Sequence, residues 1–200
     1  MTFRKLIMAS VAITTFFAVP ASAQMERMNE GQMRSMIANW PESARMAATD
    51  MMKKYVAPQE VTATMLKWHN NGPWKYTMIT NYETPHDFPM QHPDVMEQAI
   101  DYRVPASMSD DLAAYDGSVT ADRTQGMIAA RCDKEAANFL ALNLAHDIVT
   151  KRKNVNAARS YYAKAIAAFK KSGTMDRYMQ KLQFTPLRGG TADRDMAAKM

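Results

Sequence analysis

Between Phe139 and Val149 the chain carries Phe139, Leu140, Leu142, Leu144, Ala145, Ile148 and Val149. At 100° per residue these cover most of a helix circumference, and a helix apolar nearly all round has to be enclosed by the rest of the fold. The sequence therefore has to supply layers around a central helix. The few polar residues of this stretch, Asn143, His146, Asp147 and Thr150, fall on one stripe at i, i+3, i+4 and i+7.

The flanking segments show what those layers are. Met25, Met28, Met33 and Met36 keep a helical period, and Ala44, Ala47, Ala48, Met51 and Tyr55 repeat at three- and four-residue spacing after Pro41, which suits a helix start. The period then changes. Leu66 and Trp68, then Trp74, Tyr76, Met78 and Tyr82, alternate with polar residues around Asn70-Asn71-Gly72-Pro73, the turn chemistry of a hairpin. Met96, Ile100, Tyr102 and Val104 predict a third strand ended by Pro105, and Ser118 to Arg131 two short strands around Gln125-Gly126. A last helix starts at Asn154, carries Val155, Ala158, Tyr162, Ile166 and Phe169 inward, and stops at Gly173. The expectation is one α+β domain over residues 24–173, a mostly antiparallel sheet of about five strands with two N-terminal and two C-terminal helices. Residues 174–200, with Pro186 and Gly189-Gly190, are expected to be poorly ordered.

Arg4 and Lys5 precede a charge-free apolar run from Leu6 to Val19, and Ala21-Ser22-Ala23 offers the small residues of a signal-peptidase site, so residues 1–23 read as a cleaved secretory signal. The protein is expected to be periplasmic or secreted, with no membrane span after cleavage. Loss of that segment leaves 23 Lys and Arg against 20 Asp and Glu, and no basic cluster is interleaved with aromatics, which argues against nucleic acid as a partner. The single cysteine, Cys132, cannot form an intramolecular disulfide, so the fold must stand on its core.

Glu60-Val61-Thr62, Trp68-His69-Asn70-Asn71-Gly72-Pro73-Trp74-Lys75, Pro85-His86-Asp87-Phe88-Pro89-Met90 and Arg131-Cys132-Asp133-Lys134-Glu135 resemble segments of an uncharacterised family of short exported bacterial proteins, over roughly Pro41 to Phe169. The resemblance implies export and a shared fold, and it carries no activity and no functional residue.

Four places could carry chemistry. Nineteen methionines suggest soft copper ligation, but Leu occurs only eight times, so most of the Met reads as one unbranched hydrophobe replacing another in the core. The exception is His86, Met90, His92 and Met96, set among Pro85, Pro89 and Pro93 in backbone expected to be extended or irregular; imidazole and thioether donors together suit copper. Cys132, at the expected start of the central helix, reads as a buried, inert thiol. Asn143, His146 and Asp147 form either a pocket floor with a general acid/base or the exposed edge of the buried helix. Trp68, Trp74, Tyr76 and Tyr82 could make a platform for a glycan or peptide, although core packing explains most of them. No nucleophile elbow, phosphate loop, HExxH or paired-Cys motif is present. The preferred expectation is an exported soluble non-enzymatic protein that binds a protein or small ligand or serves as an envelope accessory factor. Copper binding by the His/Met loop is the first alternative, and a hydrolase built on His146 and Asp147 the second.

Overall fold

The computed structural model describes residues 30–198; the expected signal segment, Met25 and Met28 lie outside them. Two helices open the described chain, α1 (Glu30–Ile37) and α2 (Glu42–Tyr55). Five strands and a helix follow in the order β1 (Glu60–Val61), β2 (Met65–His69), β3 (Tyr76–His86), β4 (His92–Asp101), α3 (Ser109–Tyr115) and β5 (Val119–Asp122). Then come β6 (Met127–Cys132), α4 (Glu135–Val149), α5 (Val155–Ser172) and the short α6 (Arg177–Gln180). The class is α+β. All strand pairs are antiparallel, in one six-stranded sheet of order β1-β2-β3-β4-β6-β5.

Register explains the layering. Leu66 stands opposite Ile79, Ile79 opposite Met96, and Met96 opposite Cys132, while Ile100 faces Ile128. Partners share a face, and so do residues two apart on a strand, so these apolar side chains all belong to one side of the sheet. That side is roofed twice. Over β2–β4 lies α2, with Ala44, Ala48 and Met51 against Leu66, Trp68, Ile79 and Met96. The β4–β6 half lies under α4, where every residue from Ala137 to Ala145 is buried. The opposite face carries Lys67, Met78, Glu97 and Arg131 at successive register positions, the polar-out side of an antiparallel sheet.

A buried polar cluster joins the two cores. At the first turn of α4 the Glu135 carboxylate accepts hydrogen bonds from Tyr55 (2.6 Å) and Trp74 (2.7 Å) and meets Lys54. α5 is capped as expected, Asn154 accepting from the Ala157 N–H (2.8 Å) and Gly173 closing the helix at φ 70°.

Two expectations are corrected. The third strand begins four residues earlier, at His92, because Pro93 lies directly opposite Pro85. Two opposed prolines can only form a non-hydrogen-bonded pair, which costs the ladder nothing. The segment after Gly173 is also not a loose tail. Asn143 donates to the carbonyls of Tyr178 (3.0 Å) and Lys181 (2.9 Å) and accepts from the N–H of Gln183 (2.7 Å). Farther on, Thr191 donates to the Gly126 carbonyl (2.6 Å) and Asp193 pairs with Arg123 (2.9 Å).

Candidate functional site

The site follows from an irregularity in β3. Ile79 pairs with Met96, but Thr84 pairs with Asp94, so Thr80 to Glu83 all stand against Val95. Three extra residues are an odd number, and an odd insertion flips the side-chain parity of everything after it. Thr84 and His86 thereby come to the same face as their partners Asp94 and His92. The stretch expected to be extended or irregular is extended and forms a second hairpin. Its imidazoles lie with ring centroids 4.9 Å apart.

One donor atom each from His86, His92 and Asp94 lies within 4.8 Å of the others. His86 Nδ1 is 3.5 Å from Asp94 Oδ2, and His92 Nε2 is 3.4 Å from Asp94 Oδ1. These contacts are ion pairs by distance but are longer than charge-assisted hydrogen bonds. Indeed Asp94 Oδ1 is fully buried and has no hydrogen-bond partner. Separations of this size match neighbouring ligands around an ion: bonds of about 2.05 Å at tetrahedral angles put donors about 3.3 Å apart. The turn between α3 and β5 adds Asp116, whose Oδ1 is 3.6 Å from His86 Nε2, and Ser118, whose hydroxyl donates to Asp94.

Charge is unbalanced here. Asp94 and Asp116 are both almost fully buried, and buried carboxylates need cations near them. Burial raises the Asp116 carboxyl, opposed by the Ser118 N–H (2.8 Å). Asp94 above all, then Cys132, pushes the His92 imidazolium up to about 11 against the opposing effect of burial, and the Met90 carbonyl accepts from its Nδ1 (2.8 Å).

The methionines of the expected cluster, Met90 and Met96, sit differently from one another. Met90 contributes its backbone carbonyl, and Met96 is packed in the core with Met51 and Ile79. The donors that converge within 4.8 Å are imidazole and carboxylate. Asp94, Asp116 and Ser118 were missed by sequence reasoning, although Asp94 two residues after His92 in a strand carried a period-2 signal.

Cys132 ends β6 instead of beginning α4, whose N-cap is Lys134. It is 4% exposed; burial pushes its thiol up, and its imidazole neighbour is His92. On the α4 stripe the C-terminal segment covers Asn143 and Asp147 and packs on His146, while Thr150 stays exposed. Asn143 holds that segment's backbone, and Asp147 accepts from Tyr178 (3.0 Å) and Lys153 (2.6 Å). His146 stacks on Phe184 at 4.1 Å and 13°, its Nδ1 2.8 Å from the Tyr102 hydroxyl; burial lowers its basicity. Their polar atoms are held by Tyr102, Lys153 and the C-terminal segment. Trp68 and Trp74 are core residues and Tyr82 is exposed.

Beside His92 opens a cleft of about 310 Å³ between the β3–β4 turn and α5, its walls including Pro89, Pro93, Ala137, Tyr162, Ile166 and Phe169. Comparison of the chain with protein-family models, curated proteins and solved structures finds no match. Among the described residues no helix is long and apolar enough to cross a membrane.

Proposed function

We propose that this chain is an exported protein that binds a divalent transition-metal ion, copper(II) or zinc(II), through His86, His92 and Asp94. One observation carries the reading: three donors of two chemical types converge within 4.8 Å around a buried carboxylate oxygen that lacks any hydrogen bond. Two imidazoles and a carboxylate suit these ions, and copper(II) and zinc(II) stand high among divalent first-row ions in affinity for such donors. Asp116 and Ser118 orient His86 and Asp94 from behind, the outer support that metal ligands ordinarily have. Three protein ligands leave at least one coordination position for water or an external group.

Isothermal titration of the purified protein with ZnCl₂ and CuCl₂ tests this. Saturation near one ion per chain is expected, with binding weakened at least about tenfold in His86→Ala and in His92→Ala. Absence of saturable heat with both ions overturns the reading.

A further inference from the structure

The cleft beside His92 is built for more than water. Its length follows α5: Tyr162, Ile166, Phe169 and Lys170 recur at helical spacing along one wall, so Tyr162 and Lys170 stand about 12 Å apart at 1.5 Å per residue. The two ends differ. At the inner end Tyr162 is 3% exposed, yet its hydroxyl has no hydrogen-bond partner among the described residues, unlike the other buried phenols Tyr115 and Tyr178, which donate to Ala141 and Asp147. A hydroxyl of the cleft wall with no acceptor from the protein can donate to a ligand atom. At the outer end Lys170 is exposed and has no acidic partner among the described residues, and Lys134, paired with Asp133, stands at the same rim. Between the ends the walls are mainly apolar, with Gln91, His92 and Asp133 as their polar members.

We propose that this cleft binds a medium-chain carboxylic acid lying along α5, its carboxylate at Lys170 and Lys134 and its chain running inward toward Tyr162. An extended chain of about ten carbons spans the same 12 Å, at ~1.3 Å of projected length per C–C bond, and the volume is at the lower end of ordinary ligand sites. An oxygen at the distal end of the chain gives the Tyr162 hydroxyl its acceptor. The charge pattern selects an anion at the rim. At the inner end the Asp94 and Asp116 carboxylates are already partnered by the imidazoles of His92 and His86, and the Tyr162 hydroxyl is the group left to donate to a neutral oxygen. No ion at His86, His92 and Asp94 is required for this binding.

The test is isothermal titration of the purified protein, in the presence of EDTA, with sodium decanoate, 10-hydroxydecanoate, decylamine and acetate. Decanoate is expected to saturate one site per chain, 10-hydroxydecanoate to bind about three- to tenfold more tightly than decanoate, and decylamine and acetate to bind at least tenfold more weakly. Lys170→Gln is expected to weaken decanoate about fivefold. Tyr162→Phe, which keeps the ring, is expected to erase the advantage of the hydroxy acid and leave decanoate unchanged. Ile166→Trp, at a half-buried position, fills the cleft and is expected to abolish binding with the thermal midpoint retained. Equal binding of decylamine and decanoate, no saturable heat with either acid, or decanoate affinity unchanged in both Lys170→Gln and Ile166→Trp overturns the proposal. Because EDTA is present throughout, these outcomes are independent of whether zinc or copper binds.

Discussion

His86 and His92 are register partners across a hairpin, and the carboxylate of Asp94 reaches a nitrogen of each, at 3.5 and 3.4 Å. A single buried side chain therefore organises both imidazoles, and Asp94→Asn is the most informative substitution in the site. It keeps size and Oδ1 but removes the charge. The variant is expected to bind zinc about ten- to a hundredfold more weakly than the parent with its fold intact, measured by titration alongside circular dichroism.

The same pair controls how stability depends on pH in metal-free protein. His92 is raised from an ordinary value near 6.5 to about 11. A raised value means that the folded state holds the proton more tightly than the unfolded chain. The contribution is complete below about pH 6.5, declines as pH rises, and is gone above about 11. Urea midpoints in EDTA are therefore expected to fall between pH 7 and 10, and the Asp94→Asn profile to be flatter over that window.

Methionine in this core acts by volume. Met51→Leu and Met96→Leu are expected to cost less than about 1.5 kcal/mol each, the range for swaps of similar volume. Met96→Leu and Met90→Leu are expected to leave zinc affinity within about twofold, since one sulfur is in the core and the other residue contributes its carbonyl. A loss of zinc binding in either variant restores the thioether reading.

Gly126 holds the C-terminal segment in place. Its φ is +66°, and an added Cβ would lie 2.3 Å from the backbone of Thr191 and Ala192. Gly126→Ala combines backbone strain with collision and is expected to cost about 1–3 kcal/mol. It is also expected to release residues 186–198 to limited proteolysis, read by mass spectrometry of the first fragments.

Glu135 satisfies Trp74 and Tyr55, and it pairs with Lys54. Glu135→Ala strands two buried donors and is expected to cost about 3–5 kcal/mol, whereas Glu135→Gln keeps an acceptor and is expected to cost less than half as much. Chemical denaturation of the two variants checks the ratio.

Much of this architecture is legible in local periodicity. The alternation of Trp68 and Trp74 around Asn70 to Pro73, the all-round apolarity of Phe139 to Val149 and the cap pair Asn154 and Gly173 each report on neighbours within one turn or one pair of strands. The His86–His92 pairing was only half legible. The residues could be picked out as a cluster, but their partners were chosen by sequence proximity, which favoured Met90 and Met96 over Asp94 and Asp116. The α4 stripe misled for the same reason, since the chain that covers Asn143 and His146 lies some 35 to 40 residues downstream.

The amino-acid order alone determined the α+β class, the main helix and hairpin positions and the burial of the central helix, because these depend on period and turn chemistry over a few residues. Only the tertiary structure decided which side chains share a face beyond the β3 bulge, that Asp116 and Ser118 reach the paired imidazoles, and that residues 178–184 lie against α4 while residues 191–193 dock on the β5–β6 turn. The physical reason is that a three-residue slip in one strand reverses side-chain parity for all that follows, and neither that slip nor a contact closed over dozens of residues leaves a local trace.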